Sequence, residues 1–266
     1  MQNLQEIVAP TIDAVRLAAS FIQAEIGNIQ QNDIETKSLN SLVTYVDKSS
    51  EKILVNKLQK IIPTATFLTE ENTIATSKGE WQWIIDPLDG TTNFIHQVPV
   101  FAISVALQHN DEIVLGVVYE LNKNECFYAT KNNGAYLNGN RIYVSKTATL
   151  ADSLIATGFP YYDFDWLENY MIVFKQLMTS TRGIRRLGSA ATDLCYTACG
   201  RFDAYFEYSL APWDVAAGAL ILKEAGGKVF DFNAGNNWLH GKQIIAGNAA
   251  VTTQLQTIIQ KDFFIK

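Results

Sequence analysis

Trp83-Ile84-Ile85-Asp86-Pro87-Leu88-Asp89-Gly90-Thr91-Thr92-Asn93 carries an apolar strand directly into two acids, a glycine and two hydroxyls. Asp86 stands where the strand is expected to end. Pro87, lacking an N–H, takes the chain out of regular sheet pairing, and Gly90 with the two threonines can open a short helix whose first N–H groups point at an anion. Carboxylates and anion-binding amides then share one small volume. Hard oxygen ligands suit Mg²⁺, which offsets the charge of a phosphate that bare carboxylates would repel. Asp89-Gly90 alone reads as an ordinary turn; the whole run behind an apolar strand is what carries the chemistry.

Outward from this run the pattern is strand-rich. Phe67 to Thr69 and Trp81 to Ile85 precede Phe101 to Gln108, Ile113 to Tyr119 and Glu125 to Ala129, which read as an antiparallel meander. Before them, Leu4, Ile7, Val8, Ile12, Val15, Ala19, Ile22 and Ile26 recur at helical spacing up to Gly27, and a second helix starts beyond Asp47 and stops at Pro63. After the turn signals Asn133-Gly134 and Asn138-Gly139, strands (153–156, 202–207, 228–230, 243–246) alternate with helices (166–179, 189–199, 212–225, 248–260). Tyr161-Tyr162 with Asp163 and Asp165 reads as a loop with a helix cap. The class is layered α/β. A soft boundary near 140–150 divides an N-terminal half, 1–145, which holds the acidic motifs, from a C-terminal half, 146–266, and without a Pro/Gly/Ser linker the two are expected to pack tightly.

The 266 residues carry 21 Lys plus Arg against 27 Asp plus Glu, a net charge of −6, with 48% hydrophobic residues. Lacking a basic run, the chain is not expected to partner nucleic acid or an anionic membrane. Glu6, Asp13 and Arg16 interrupt the first apolar stretch, which reads as neither signal peptide nor membrane span. Three cysteines with no CxxC pair suit a reducing compartment, so a cytoplasmic location is expected.

Three further acidic positions stand out. Glu70-Glu71 follow the short strand Phe67-Leu68-Thr69; Asp214 falls in the first turn of a helix opened by Pro212; Asp47 precedes a helix, where it can serve as N-cap. Each has a purely structural explanation on its own.

Together these segments resemble the inositol monophosphatase family of Mg²⁺-dependent, lithium-sensitive phosphatases. The resemblance rests on Glu70-Glu71, the run Asp86 to Asn93, and Trp213-Asp214-Val215-Ala216-Ala217-Gly218. It takes in Lys37 with Leu42-Val43-Thr44-Tyr45-Val46-Asp47, Gly183 to Ala191, and Glu224-Ala225-Gly226-Gly227, and so covers nearly the whole chain. It implies an αβαβα sandwich of the inositol monophosphatase and fructose-1,6-bisphosphatase type, a homodimer, and two to three Mg²⁺ per subunit. The implied metal ligands are Glu70, Asp86, the Leu88 carbonyl, Asp89 and Asp214, with Asp86 bridging two ions. Thr91, oriented by Asp47, would position the attacking water with help from Lys37, on a flap; the amides of Gly90 and Thr91 would take the phosphate. Gly188, Ser189, Ala190, Glu207 and Asp214 would contact the substrate's body, Glu207 as acceptor for ring hydroxyls.

The implied reaction is in-line hydrolysis of a small polyol or sugar monophosphate, inositol monophosphate first. Fructose-1,6-bisphosphatase and 3'-phosphonucleotide phosphatase activities are the neighbouring alternatives, and an inactive scaffold is the non-enzymatic one. The scaffold reading predicts a broken ligand set, whereas Glu70, Asp86, Asp89, Thr91 and Asp214 are all present. Thr69 before the acidic pair and Asn40-Ser41 ahead of Leu42 depart from the usual family pattern.

Overall fold

The computed structural model describes residues 4–38, 41–160 and 163–264; Asn40 and the Tyr161-Tyr162 pair lie outside them. The chain opens with helix α1 (Leu4–Glu25), a hairpin of β1 (Ile34–Ser38) and β2 (Ser41–Thr44), and helix α2 (Tyr45–Ile61). There follow β3 (Thr66–Thr69), β4 (Trp81–Asp89), the short α3 (Thr91–Ile95), β5 (Ala102–His109), β6 (Glu112–Glu120), β7 (Glu125–Thr130), β8 (Ala135–Leu137) and β9 (Asn140–Ile142). The remainder is β10 (Leu154–Thr157), α4 (Leu167–Ser180), β11 (Gly183–Arg185), α5 (Ala190–Ala198), β12 (Ala204–Tyr208), α6 (Pro212–Glu224), β13 (Lys228–Phe230), β14 (Gln243–Gly247) and α7 (Ala249–Asp262).

Strands β3 to β9 make one seven-stranded sheet in sequence order, parallel between β3 and β4 and antiparallel thereafter. The expected meander β5-β6-β7 is present and continues through two short strands. The second sheet has five strands in the order β11-β10-β12-β14-β13.

Strand alternation and helix polarity set the layers. Trp83 and Ile85 point into a core shared with Val15 and Ile22 of α1 and Leu54 and Leu58 of α2, while Ile84 points the other way, toward Leu194 of α5 and Ala217 and Ile221 of α6. In the second sheet, Ala156, Tyr205 and Ile244 face that same middle core, and Ile155, Phe206 and Ile245 face Tyr170 of α4 and Leu255 of α7. From Val215 to Leu222 every residue of α6 is buried, so α6 can lie only between two sheets, whereas α1, α2, α4 and α7 bury one stripe each and lie outside. The result is the αβαβα stack, and its middle core draws on residues from both sides of 140–150. By length and composition α1 is long and apolar enough to cross a membrane; its face Ile7, Thr11, Ala14, Val15, Ala18, Ala19 and Ile22 is buried, its apolar members in the outer core shared with α2 and the first sheet.

Local details correct three expectations. The second helix starts at Tyr45, with Thr44 as N-cap and Asp47 at the third helical position of a capping box; Asp47 is not the N-cap. β4 does not end at Asp86: it continues to Asp89, its pairing with β5 skipping from Asp86↔Ser104 to Asp89↔Ala102 around Pro87, which has no N–H to give. Asp163 closes a turn by accepting from the Asp165 N–H at 3.4 Å, while Trp166 stands at the N-cap of α4 with no side-chain bond.

Candidate active site

The fold gathers the acidic motifs at one end of β4. Glu70 leaves β3, whose parallel pairing with β4 continues in a bond from the Glu70 N–H to the Ile85 carbonyl at 3.2 Å, so Glu70 is held beside Asp86. Across the sheet Asp86 pairs with Ser104, whose hydroxyl donates to the Trp213 carbonyl at 3.0 Å. That bond anchors the start of α6 and with it Asp214, 128 positions further along the chain. Asn93 bridges the other way, donating to the carbonyls of Val100 (2.7 Å) and Leu187 (2.8 Å), and so brings Gly188, Ser189 and Ala190 against the turn at Gly90. Gly90 has φ +96°, and a Cβ there would stand 3.1 Å from the Val100 carbonyl oxygen and 3.2 Å from that of Gly188; only glycine fits the turn.

A cavity of about 260 Å³ results, lined by Lys37, Glu70, Asp86, Leu88, Asp89, Gly90, Thr91, Gly188, Ser189, Ala190, Glu207 and Asp214 among others. Every sequence-predicted site residue except Asp47 lines it. Asp47 sits fully buried just behind, accepting from the Thr91 hydroxyl at 2.8 Å through Oδ1 and from the Thr44 N–H (2.8 Å) and hydroxyl (2.6 Å) through Oδ2. The Thr91 hydroxyl also lies 3.1 Å from the Leu88 carbonyl oxygen. Asp89 accepts from the Ser189 hydroxyl (2.6 Å) and the Ala191 N–H (2.7 Å) at the start of α5, and Asp214 accepts from the Ala211 N–H at 2.7 Å. Ser189 is at once the N-cap of α5 and a partner of Asp89.

The electrostatics are those of acids crowded away from water. Burial pushes Asp86 well above the ordinary carboxylate range, and Glu70, Asp89 and Asp214 push it further. Burial and the Asp89 charge do the same to Asp214 against the pull of the Ala211 N–H. Asp89 is pushed up to about 6 by burial, against its bonds from Ser189 and Ala191. Asp47 is raised by burial, with its threonine bonds opposing. Lys37 is not a solvated surface lysine: its Nζ lies 3.0 Å from Glu70 Oε1 and 2.5 Å from Glu71 Oε1. Burial works against its charge, but the two carboxylates prevail and hold its pKa above the usual value.

The donor set of carboxylates, a carbonyl and a hydroxyl is that of a hard divalent ion, and a cation would relieve the mutual repulsion of the three aspartates. No three of the described His, Cys, Asp and Glu side chains stand in a closed cage. Binding would therefore draw together acids that already share the pocket.

Two carboxylates escaped the sequence reading. Glu51 lies fully buried on α2 and accepts from the Thr69 hydroxyl (3.0 Å), the Glu71 N–H (2.7 Å), and the Thr73 N–H and hydroxyl (2.7 Å each), pinning the turn that presents Glu70. Glu51→Ala strands these donors and is expected to cost about 3 kcal/mol, read as a lowered urea midpoint. Asp193 lies buried on α5 and lines the cavity. Nothing in the helical pattern distinguishes either acid from a solvated one.

Fold and site together define the class. The chain belongs to the inositol monophosphatase family, whose sequence model matches residues 3–262. It is 40% identical over 262 residues to Nus factor SuhB of Pseudomonas aeruginosa, covering 97% of each chain, and 39% identical over 251 residues to the inositol-1-monophosphatase of Rhizobium meliloti, covering 94% of each. Among solved structures it is similar to the extragenic suppressor protein suhB from Bartonella henselae (TM-score 0.92, 38% identity, 96% of this chain and 99% of that one). It is likewise similar to the inositol monophosphatase from Anabaena (Nostoc) sp. PCC 7120 (TM-score 0.86, 35% identity, 98% of each).

Proposed function

We propose that the chain is a Mg²⁺-dependent phosphomonoesterase of small polyol or sugar monophosphates, with inositol monophosphate as first substrate. The observation that carries this is the convergence of Glu70, Asp86, Asp89 and Asp214 with Thr91 on one cavity. Glu70, Asp86, the Leu88 carbonyl, Asp89 and Asp214 would hold the ions. Mg²⁺ there would lower the pKa of water and offset charge on the phosphate.

The remaining work falls to the chain itself. With its proton committed to Asp47, the Thr91 hydroxyl presents a lone pair that accepts from the attacking water and fixes its line of approach to phosphorus. Asp47, its other oxygen held by Thr44, keeps that hydroxyl from rotating. The turn at Gly90 supplies amides for the phosphate oxygens. Lys37 steadies Glu70 and Glu71, and Glu207 accepts from the substrate's hydroxyls.

Phosphate release from inositol 1-phosphate with Mg²⁺, and again with a chelator, tests the reading. Release that requires Mg²⁺ is the expected result; equal release in chelator defeats it. Compared rates on fructose bisphosphate and a 3'-phosphonucleotide fix the substrate class. Several relatives carry the name Nus factor, and the absence of a nucleic-acid partner for this chain stays an expectation from its charge.

A further inference from the structure

Asp193 is 1% exposed, and its Oδ1 has no hydrogen-bond partner among the described residues. Burial and the neighbouring charges of Glu207 and Asp89 hold its pKa well above the ordinary range, with Arg186 opposing. A buried carboxyl oxygen left unpaired is costly, so its persistence calls for a partner that arrives from outside the chain.

Its position indicates which partner. Ser189, bonded to Asp89, caps α5, and Asp193 follows four residues later on the same face of that helix, about 6 Å further along its axis. One turn separates the reacting end of the cavity from Asp193, roughly the width of a six-membered polyol ring. Glu207 reaches the same space from β12, one oxygen accepting from the Tyr205 hydroxyl at 2.5 Å, and Gly158 closes the wall so tightly that a Cβ there would fall 2.0 Å from the Glu207 carboxylate. Burial pushes Glu207 up to about 7, against its bond from Tyr205 and the charge of Arg186.

We infer that Asp193 is a specificity-determining residue of this cavity, its unpartnered oxygen accepting a hydrogen bond from a ring hydroxyl of the substrate beside the one taken by Glu207. The assignment rests on the phosphatase reading and narrows its substrate class. Two carboxylates that accept side by side select a body rich in hydroxyl donors and disfavour a second phosphate at that end.

The test compares inositol 1-phosphate with p-nitrophenyl phosphate, which has no ring hydroxyl, at saturating Mg²⁺. Asp193→Ala is expected to lower kcat/KM for inositol 1-phosphate relative to the aryl ester by about tenfold, through KM. Asp193→Asn, which keeps an acceptor, is expected to recover most of that loss, and both variants to melt no lower than the wild type. A parallel loss on both esters, an unchanged ratio, or a lowered melting temperature with no recovery in Asn overturns the assignment. A wild-type chain without Mg²⁺-dependent activity on either ester overturns the phosphatase reading itself, and the assignment with it.

Discussion

Replacing Asp86 with asparagine is expected to cut phosphate release in Mg²⁺ by about a thousandfold and, in the same protein, to raise the melting temperature in chelator. The two effects share one cause. Asp86 is fully enclosed and faces Glu70, Asp89 and Asp214, so without a cation its charge is held at a loss, and neutralising it relieves all three neighbours. The substitution is isosteric, and the asparagine carbonyl can still accept from the Leu88 N–H, now bonded to Asp86 Oδ1 at 2.9 Å, so the turn should keep its shape. The gain in the metal-free protein is on the order of 1 kcal/mol or more. Stability and activity thus move in opposite directions, which separates a site that stores charge for a ligand from one that is merely well packed. A variant that melts lower than the wild type and keeps its activity would place Asp86 in the fold and outside the chemistry.

How much of this was legible beforehand varies residue by residue. The strand 83–85 was readable because both its faces are buried and every position is apolar. The motif behind it was readable because acids, glycine and hydroxyls follow without a gap. Asp214 was ambiguous for a physical reason: its bond to the Ala211 N–H is what any acid in a first helical turn would make, and the structure shows that it makes that bond while also facing Asp86. β1 and β2 carry mainly polar residues, and β8, β9 and β11 have three residues each, too few for a period to show. Glu51 and Asp193 lie on helices whose patterns give no hint that a loop or a sheet will close over them. Burial of that kind belongs to the tertiary arrangement, as does the bond from Ser104 that sets Asp214 beside Asp86.

The same crowded acids make the effect of Mg²⁺ on stability depend on pH, in a direction fixed by their shifts. In the unfolded chain the aspartates ionise near their ordinary value of about 4; in the folded protein Asp89 ionises only near 6, and Asp86 and Asp214 are likewise raised well above the ordinary value. Between those limits the folded state binds more protons than the unfolded one, so in chelator these groups support the fold at low pH and cease to do so as pH rises through 6. Mg²⁺ reverses this, because it competes with protons for the same oxygens and binds best when all three are ionised. At a hundredfold excess over its dissociation constant the ion contributes about 2.7 kcal/mol, which for a chain of this size is a rise in melting temperature of roughly 5 to 10 °C. That rise is expected near pH 7.5 and should shrink to a small fraction of it near about pH 5, where protons hold the site. Melting curves with Mg²⁺ and with chelator at the two pH values measure the difference directly. In Asp86→Asn the rise should be largely lost at both. A rise in the wild type that is the same at both pH values would mean that the ion binds elsewhere than among Asp86, Asp89 and Asp214.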